Sequence, residues 1–243
     1  MTRLLAIDTS SAWCSVALSL GDAVPVLRHE AVSAGASQLL LPWIEDLLDK
    51  ANLELDRLDA IAVGIGPGAF TGVRLGVAAV QGLATAANLP VLPVASLDAI
   101  AAQAMKTAGF AKIKPQHFVI AVDARMDEIY WARYEIQANQ LLAKRIGDIH
   151  LSKPEAIDLT NIQYLAGSAV QVFGDRLFTK NSLPSAALDS VISISALGIL
   201  DVAREMYQAG RHIPVAQLEP LYVRNKVALT TDERGIVFQK GAL

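Results

Sequence analysis

Apolar and polar positions fall into short blocks along this chain, and the blocks switch between two periods. Residues 3 to 8 form an apolar run that ends in Asp8; Thr9, Ser10 and Ser11 then make a turn, and Cys14 to Leu20 alternates as a second strand. Val24 to Ala31 is a candidate third strand. From Ser37 to Ala51 the apolar residues stand at 40, 41, 44, 47, 48 and 51, which is helical spacing. Pro42 is expected in the first turn of that helix, where a missing N–H matters little. Ala60 to Ile65 is an apolar run that predicts a buried strand. It stops in Gly64, Gly66, Pro67 and Gly68, and a helix of small residues is predicted from Thr71 to Ala87. Val91 to Val94 is a short strand, and Ser96 is placed as the cap of a helix reaching about Thr107.

The pattern then starts again near Lys114. Phe118 to Asp123 is an apolar strand ending in Asp, residues 124 to 127 turn, and Ile129 to Tyr134 alternate. Set side by side, LLAIDTSSAWCSVAL and FVIAVDARMDEIYWAR bring Asp8 onto Asp123. We read a weak internal repeat and hence two related α/β halves; the alternative is a chance likeness of two apolar strands. Residues 141 to 184 give no clear pattern. Ser195 to Ala209 is a helix closed by Gly210, and the tail beyond Arg224 is polar and expected to be loosely held.

Composition narrows the class. Of the 243 residues 53% are hydrophobic, and the mean hydropathy is +0.37. No apolar stretch is long enough to cross a bilayer without interruption, so the excess points to a buried sheet or a protein–protein interface. The formal net charge of −3 is scattered, unlike the basic footprint of a protein that holds nucleic acid by itself. Cys14 is the single cysteine, which excludes an internal disulfide. The start of the chain is too short an apolar segment for a signal peptide, and a reducing cytoplasm is the default.

The glycine-rich run AIAVGIGPGAFTGVRLG is either a phosphate cradle or a tight packing joint. Gly64 to Ala69 formally fits a dinucleotide fingerprint, but the acidic residue expected about 20 positions on is missing. No Lys lies between Lys50 and Lys106 to complete a P-loop. In the nucleophile-elbow frame, Phe70 takes the place of the serine. His29, His117, His150 and His212 stand alone, without metal-ligand spacing, and Cys14 reads as a small core residue. Asp8 and Asp123 are the best polar candidates: each either orients a cation near phosphate or caps its turn. Gly72, Gly76, Ala79 and Ala86 permit close approach of another helix, and Leu40, Leu41, Ile44, Leu47 and Leu48 form a broad apolar face. Both helices either pack on their own sheet or build a bundle with a second protein.

The segments LLAIDTSSAWCSVAL, LLLPWIEDLL, LDAIAVGIGPGAFTGVRLGV, VASLDAIA, AVDARMDEIYWA and EPLYVR resemble the TsaB family, also called YeaZ. The resemblance implies two actin/Hsp70-like (ASKHA) lobes, each a mixed sheet with flanking helices, over residues 1–110 and 111–243. It implies a non-catalytic, cytoplasmic subunit in the synthesis of threonylcarbamoyladenosine in the tRNA anticodon loop. Its partners would be the catalytic paralogue TsaD, whose metal is held by a His-x-x-x-His pair absent here, and the ATPase TsaE. A homodimer is expected when the chain is alone, tRNA is reached indirectly, and no membrane is involved. No metal and no cofactor are expected; Asp8, Thr9, Ser10 and Asp123 would be a degenerate nucleotide site in which residual binding stays open. Gly66, Pro67, Gly68, Phe70, Thr71, Gly72 and Arg74 would shape the turn and helix start, with Thr71 as N-cap. Gly76, Val80 and the leucine face at 40–48 would pack the lobe or meet the partner. The chain departs from the family at Ala69, where serine is common, and at Ala36-Ser37, where His-Ser is common; both changes remove polar groups and weaken any catalytic role for those positions. The rival classes are an ATP-dependent phosphotransferase of the same fold and a peptidase, for which no nucleophile–base set is visible.

Overall fold

The computed structural model describes residues 2–21, 23–32, 35–138, 140–179 and 182–224. The first sheet is built from β1 (Arg3–Asp8), β2 (Trp13–Leu20), β3 (Val26–Ala31), β4 (Ala60–Gly64) and β5 (Val91–Val94), in the order β3-β2-β1-β4-β5. β1 runs antiparallel to β2 and parallel to β4. β4 is apolar at every position and wholly buried, as a strand covered on both faces must be. Helices α1 (Ala36–Lys50) and α2 (Phe70–Ala87) cover one face, where Leu40, Ile44, Leu47 and Val80 pack on Leu5, Ile7, Ile61 and Val63.

The second sheet contains β6 (His117–Arg125), β7 (Glu128–Glu135), β8 (Lys144–Ser152), β9 (Tyr164–Ala166) and β10 (Leu188–Asp189), in the order β10-β9-β6-β7-β8. Taken from its other edge this order repeats the first sheet, hairpin and parallel pair included: β6 is antiparallel to β7 and parallel to β9. The weak repeat in the sequence is therefore a repeat of topology, with Asp8 and Asp123 in corresponding places.

Between the sheets lie α3 (Ser96–Ala104) and, from much later in the chain, α6 (Ala196–Gln208). They share one core with Leu4 and Leu92 of the first sheet and Phe118, Tyr134 and Tyr164 of the second. A partly buried polar tie crosses the same junction: Tyr134 Oη donates to Asp98 Oδ1 at 2.8 Å, and Arg145 Nε lies 3.0 Å from that oxygen. Burial raises the Asp98 pKa, opposed by the charge of Arg145 and the hydrogen bond from Tyr134.

Several local expectations are corrected. α1 begins at Ala36, behind a left-handed Gly35 (φ 105°), so Pro42 lies in the second turn, on the exposed side. The helix predicted from Ser96 to Thr107 is two helices. α3 ends at Ala104, and α4 (Ala108–Ile113) starts behind Thr107, whose Oγ1 accepts from Phe110 N. Ser96 makes no cap, because its hydroxyl is spent on Ser10. Beyond the division expected at residue 110, the stretch from α6 to Leu218 returns to the first sheet. α6 packs on β1, β2, β4 and β5, Ile213 pairs with Val91, and Leu218 is buried under α2. The polar tail beyond Arg224 lies outside the described residues.

Candidate functional site

The glycine-rich run joins β4 to α2 across the tip of the β1–β2 hairpin. A Cβ at Gly68 would sit 2.2 Å from the Ser10 carbonyl oxygen, and one at Gly72 would sit 1.9 Å from that of Thr9. At Gly76 it would meet Thr9 Oγ1 at 2.9 Å. Hydrogen bonds close the same gap: Ala69 N donates to Ser10 O at 2.6 Å, and Thr9 Oγ1 donates to Gly72 O at 2.6 Å. Ser96 N and Leu221 N bind the carbonyls of Gly66 and Ile65. The hairpin backbone thus fills the concave side of the loop, where a phosphate would have to lie. Of the two readings of this run, the packing joint is the one that the geometry supports.

The start of α2 also differs from expectation. Ala69 is the N-cap residue, without a side-chain cap bond, and Thr71 sits exposed inside the first turn. Thr71 is therefore not the cap. Arg74 points back along the helix: its guanidinium lies 3.5 Å over the Phe70 ring, and Nε and Nη2 donate to Tyr222 Oη at 3.0 and 2.9 Å.

The two repeat aspartates make the same turn with different surroundings. Ser10 N donates to Asp8 Oδ1 at 3.0 Å, and Arg125 N donates to Asp123 Oδ1 at 2.8 Å, each an Asx turn at the end of its strand. Asp8 is fully buried, and Gly64 leaves no space beside its Oδ2. Burial pushes its pKa from 3.8 up to about 7, with the Ser10 hydroxyl and N–H pulling the other way. Asp123 keeps Arg125 at 3.2 Å and faces a cavity of about 270 Å³ between the lobes. Ser10, Ser96, Ser168, Trp13 and Ile194 also line that cavity, and Asp8 does not. Of the expected degenerate nucleotide site, Ser10 and Asp123 reach the cleft, whereas Asp8 and Thr9 belong to the joint.

The remaining candidates are structural. His29 stacks on Trp13 at 4.4 Å and His150 on Trp131 at 4.5 Å; burial lowers the His29 pKa. Cys14 is buried, its thiol pushed up to about 11 by burial and by the charges of Asp8 and Glu30. Among the described residues no group of three or more His, Cys, Asp or Glu could hold a metal ion. Nor is any helix of these residues long and apolar enough to cross a membrane.

The helix faces divide cleanly. Leu40, Ile44, Leu47, Leu48 and Val80 are buried beneath their own helices, and Gly72 and Gly76 turn towards Thr9. Leu40, Leu47, Val80, Gly72 and Gly76 serve packing within the lobe, whereas Ile44 and Leu48 also reach a groove at the surface between the helices. Leu41 is 51% exposed, and α2 shows solvent the small residues Ala78, Gly82, Thr85 and Ala86. A groove of about 520 Å³ runs between the helices, with Leu41, Leu55 and Leu83 beside Glu45, Asp49 and Glu54. Sequence reasoning missed Gly82 and Tyr222. The signal for Gly82 was its phase, since it falls off the inward stripe 68–72–76. Tyr222 gave no local signal, because Arg74 lies 148 residues away.

Two lobes of one sheet order, fused through a shared core and each turning on an Asp at the end of its first strand, define an actin/Hsp70-like protein whose glycine loop is filled by its own hairpin. The family described as "TsaD: tRNA N6-adenosine threonylcarbamoyltransferase" matches residues 29–230. The tRNA threonylcarbamoyladenosine biosynthesis protein TsaB of Escherichia coli K12 is 34% identical over 230 residues, covering 93% of this chain and 96% of its own length. The TsaB of Haemophilus influenzae is 32% identical and covers 92% and 94%. A solved structure described as YeaZ from Pseudomonas aeruginosa superposes with a TM-score of 0.78 at 34% identity, over 91% of this chain and 100% of that one. A second P. aeruginosa structure, described as similar to the peptidase YEAZ, gives 0.81 at 35% identity, over 92% and 100%. The chain belongs to the TsaB (YeaZ) family.

Proposed function

We propose that this chain is a non-catalytic, cytoplasmic subunit in the biosynthesis of threonylcarbamoyladenosine in tRNA, where it binds and supports the catalytic subunit TsaD. The observation that carries the reading is the filled glycine loop. A phosphate cradle in that loop would need this concavity open, and here Ser10 and Thr9 backbone atoms occupy it. What the same joint provides is a rigidly seated α2. Its outward face, Ala78, Gly82 and Ala86, lets another helix come close, and Leu41 adds an apolar contact. TsaD docks on this α1–α2 face, TsaE joins the pair, and the same face self-associates when TsaD is absent. The subunit brings no cofactor or metal of its own.

Light scattering of the full chain mixed with TsaD of the same organism tests this. The expected result is a one-to-one complex, with tRNA modification only when both proteins are present. A chain that ignores TsaD but turns over ATP would replace the scaffold reading with the phosphotransferase one.

A further inference from the structure

A second cavity, of about 200 Å³, lies beside the glycine loop where the end of the described chain crosses from one lobe to the other. It shares Pro67, Gly68 and Arg125 with the interlobe cavity, but none of Asp8, Thr9, Ser10 or Asp123 lines it. Val73, Tyr130 and Leu221 contribute to its walls. At its edge stand two aromatic rings that a folded protein would ordinarily hide: Phe70 is 46% exposed and Tyr222 is 53% exposed.

Three guanidinium groups surround these rings. Arg224 is paired with Glu128 at 2.7 Å. Arg125 touches Asp123 at 3.2 Å, yet its side chain is 86% exposed. Arg74 is held by Phe70 and the Tyr222 hydroxyl, and among the described residues it makes no ion pair. Three cations against two carboxylates give this spot a positive excess on a chain of net charge −3. A carboxylate ligand would use the arginines and leave the Tyr222 ring in water. A flat aromatic group joined to a phosphate uses both features, because a ring stacks on Phe or Tyr while arginine forks bind phosphate oxygens.

We propose that this cavity is a nucleotide subsite in which one base stacks against Tyr222, beside the Phe70 ring that Arg74 already covers, while its phosphate is held by Arg74 and Arg125. The volume lies below the roughly 300 Å³ at which drug-sized sites begin, so it takes a single base and leaves sugar and phosphate at the rim. Such a nucleotide comes either from single-stranded RNA, whose unstacked bases are read in this way, or from a free mononucleotide. The subsite does not depend on the scaffold reading, since it uses this chain alone.

The test is fluorescence anisotropy with a short fluorescein-labelled single-stranded RNA and the full-length chain, with 5′-AMP and adenosine as competitors. Saturable binding is expected. Tyr222→Ala should weaken it about tenfold, the loss of one stacking partner, while Tyr222→Phe, which keeps the ring, stays near wild type. Arg125→Ala should lower the log–log salt slope by about 0.7, one phosphate contact; Arg125 is exposed enough for this variant to fold normally. RNA binding much tighter than that of 5′-AMP identifies RNA as the source, and 5′-AMP binding alone identifies a free nucleotide. In both cases adenosine should compete poorly. No saturable binding, or binding that Tyr222→Ala and Arg125→Ala both leave unchanged, overturns the proposal, and neither result bears on the complex with TsaD.

Discussion

Asp8 gives the stability of this protein a pH dependence that one substitution isolates. Its carboxyl is fully buried with only Ser10 as hydrogen-bond partner, and its pKa rises from 3.8 to about 7. The sign follows from proton counting. Between those values the unfolded chain has released the proton and the folded protein has kept it, so stability falls as pH rises through the window. Below pH 4 both states are protonated and the effect vanishes; above pH 7 both are ionised and the full penalty is present. Between pH 5 and pH 8 the loss amounts to about 2–3 kcal/mol. In a chain of this size 1 kcal/mol moves Tm by about 2–4 °C, which gives a drop on the order of 5–10 °C.

Asp8→Asn removes the titration and keeps the shape, since Ser10 N can still donate to an amide oxygen. Urea unfolding of both proteins at several pH values from 4 to 8 measures the difference directly. The curves should lie close near pH 4 and separate upwards, with the Asn variant the more stable at pH 8. Asp46, Asp127, Glu155 and Asp158 have their pKa values lowered, chiefly by hydrogen bonds. What they contribute is lost in acid, and it cancels in the comparison. Parallel curves from pH 5 to 8 would refute the picture of a buried, protonated Asp8.

Two glycines on one helix should respond in opposite directions. Gly72→Ala drives a methyl group into the Thr9 carbonyl and should destabilise by about 1–3 kcal/mol or more in thermal unfolding, whereas Gly82→Ala meets nothing within 4 Å and should stabilise by about 1 kcal/mol. Thr71→Ala should change stability by less than about 0.5 kcal/mol, because Thr71 makes no cap; a loss near 1 kcal/mol, usual for a true N-cap, would contradict the geometry. Leu41→Glu should leave the melting temperature in place while weakening the TsaD complex at least tenfold in a titration followed by light scattering, and an unchanged affinity would remove α1 from the docking face.

What the sequence made legible was local and periodic. Both hairpins, the helical stripe at 40–48 and the Asp-terminated strands follow from alternation and spacing, so they could be read without a fold. The ends of elements were harder. Ser96 has the chemistry of a cap, but Ser10, 86 residues away at the tip of the first hairpin, takes its hydroxyl at 3.1 Å. The return of α6 and Leu218 to the first lobe was invisible, because an amphipathic helix does not state which sheet it covers. Leu40, Ile44 and Val80 were correctly apolar, but exposure depends on the sheet beneath them and no periodicity reports it.

The glycine run shows why one motif supports opposite chemistries. Glycines at 68, 72 and 76 require that something approach the helix backbone closely, and they do not specify what. Phosphate oxygens and a carbonyl oxygen both satisfy that demand. The Ser10 and Thr9 carbonyls meet it here, and the stripe they fill lies on the inner side of α2. The spacing of four residues that brings these glycines to the hairpin leaves Ala78, Gly82 and Ala86 on another side, facing solvent. Filling the phosphate pocket and presenting a small-sided helix are thus consequences of one packing decision. On the scaffold reading, the contacts of Thr9 and Ser10 that close the loop to phosphate are the same ones that anchor α2 for docking.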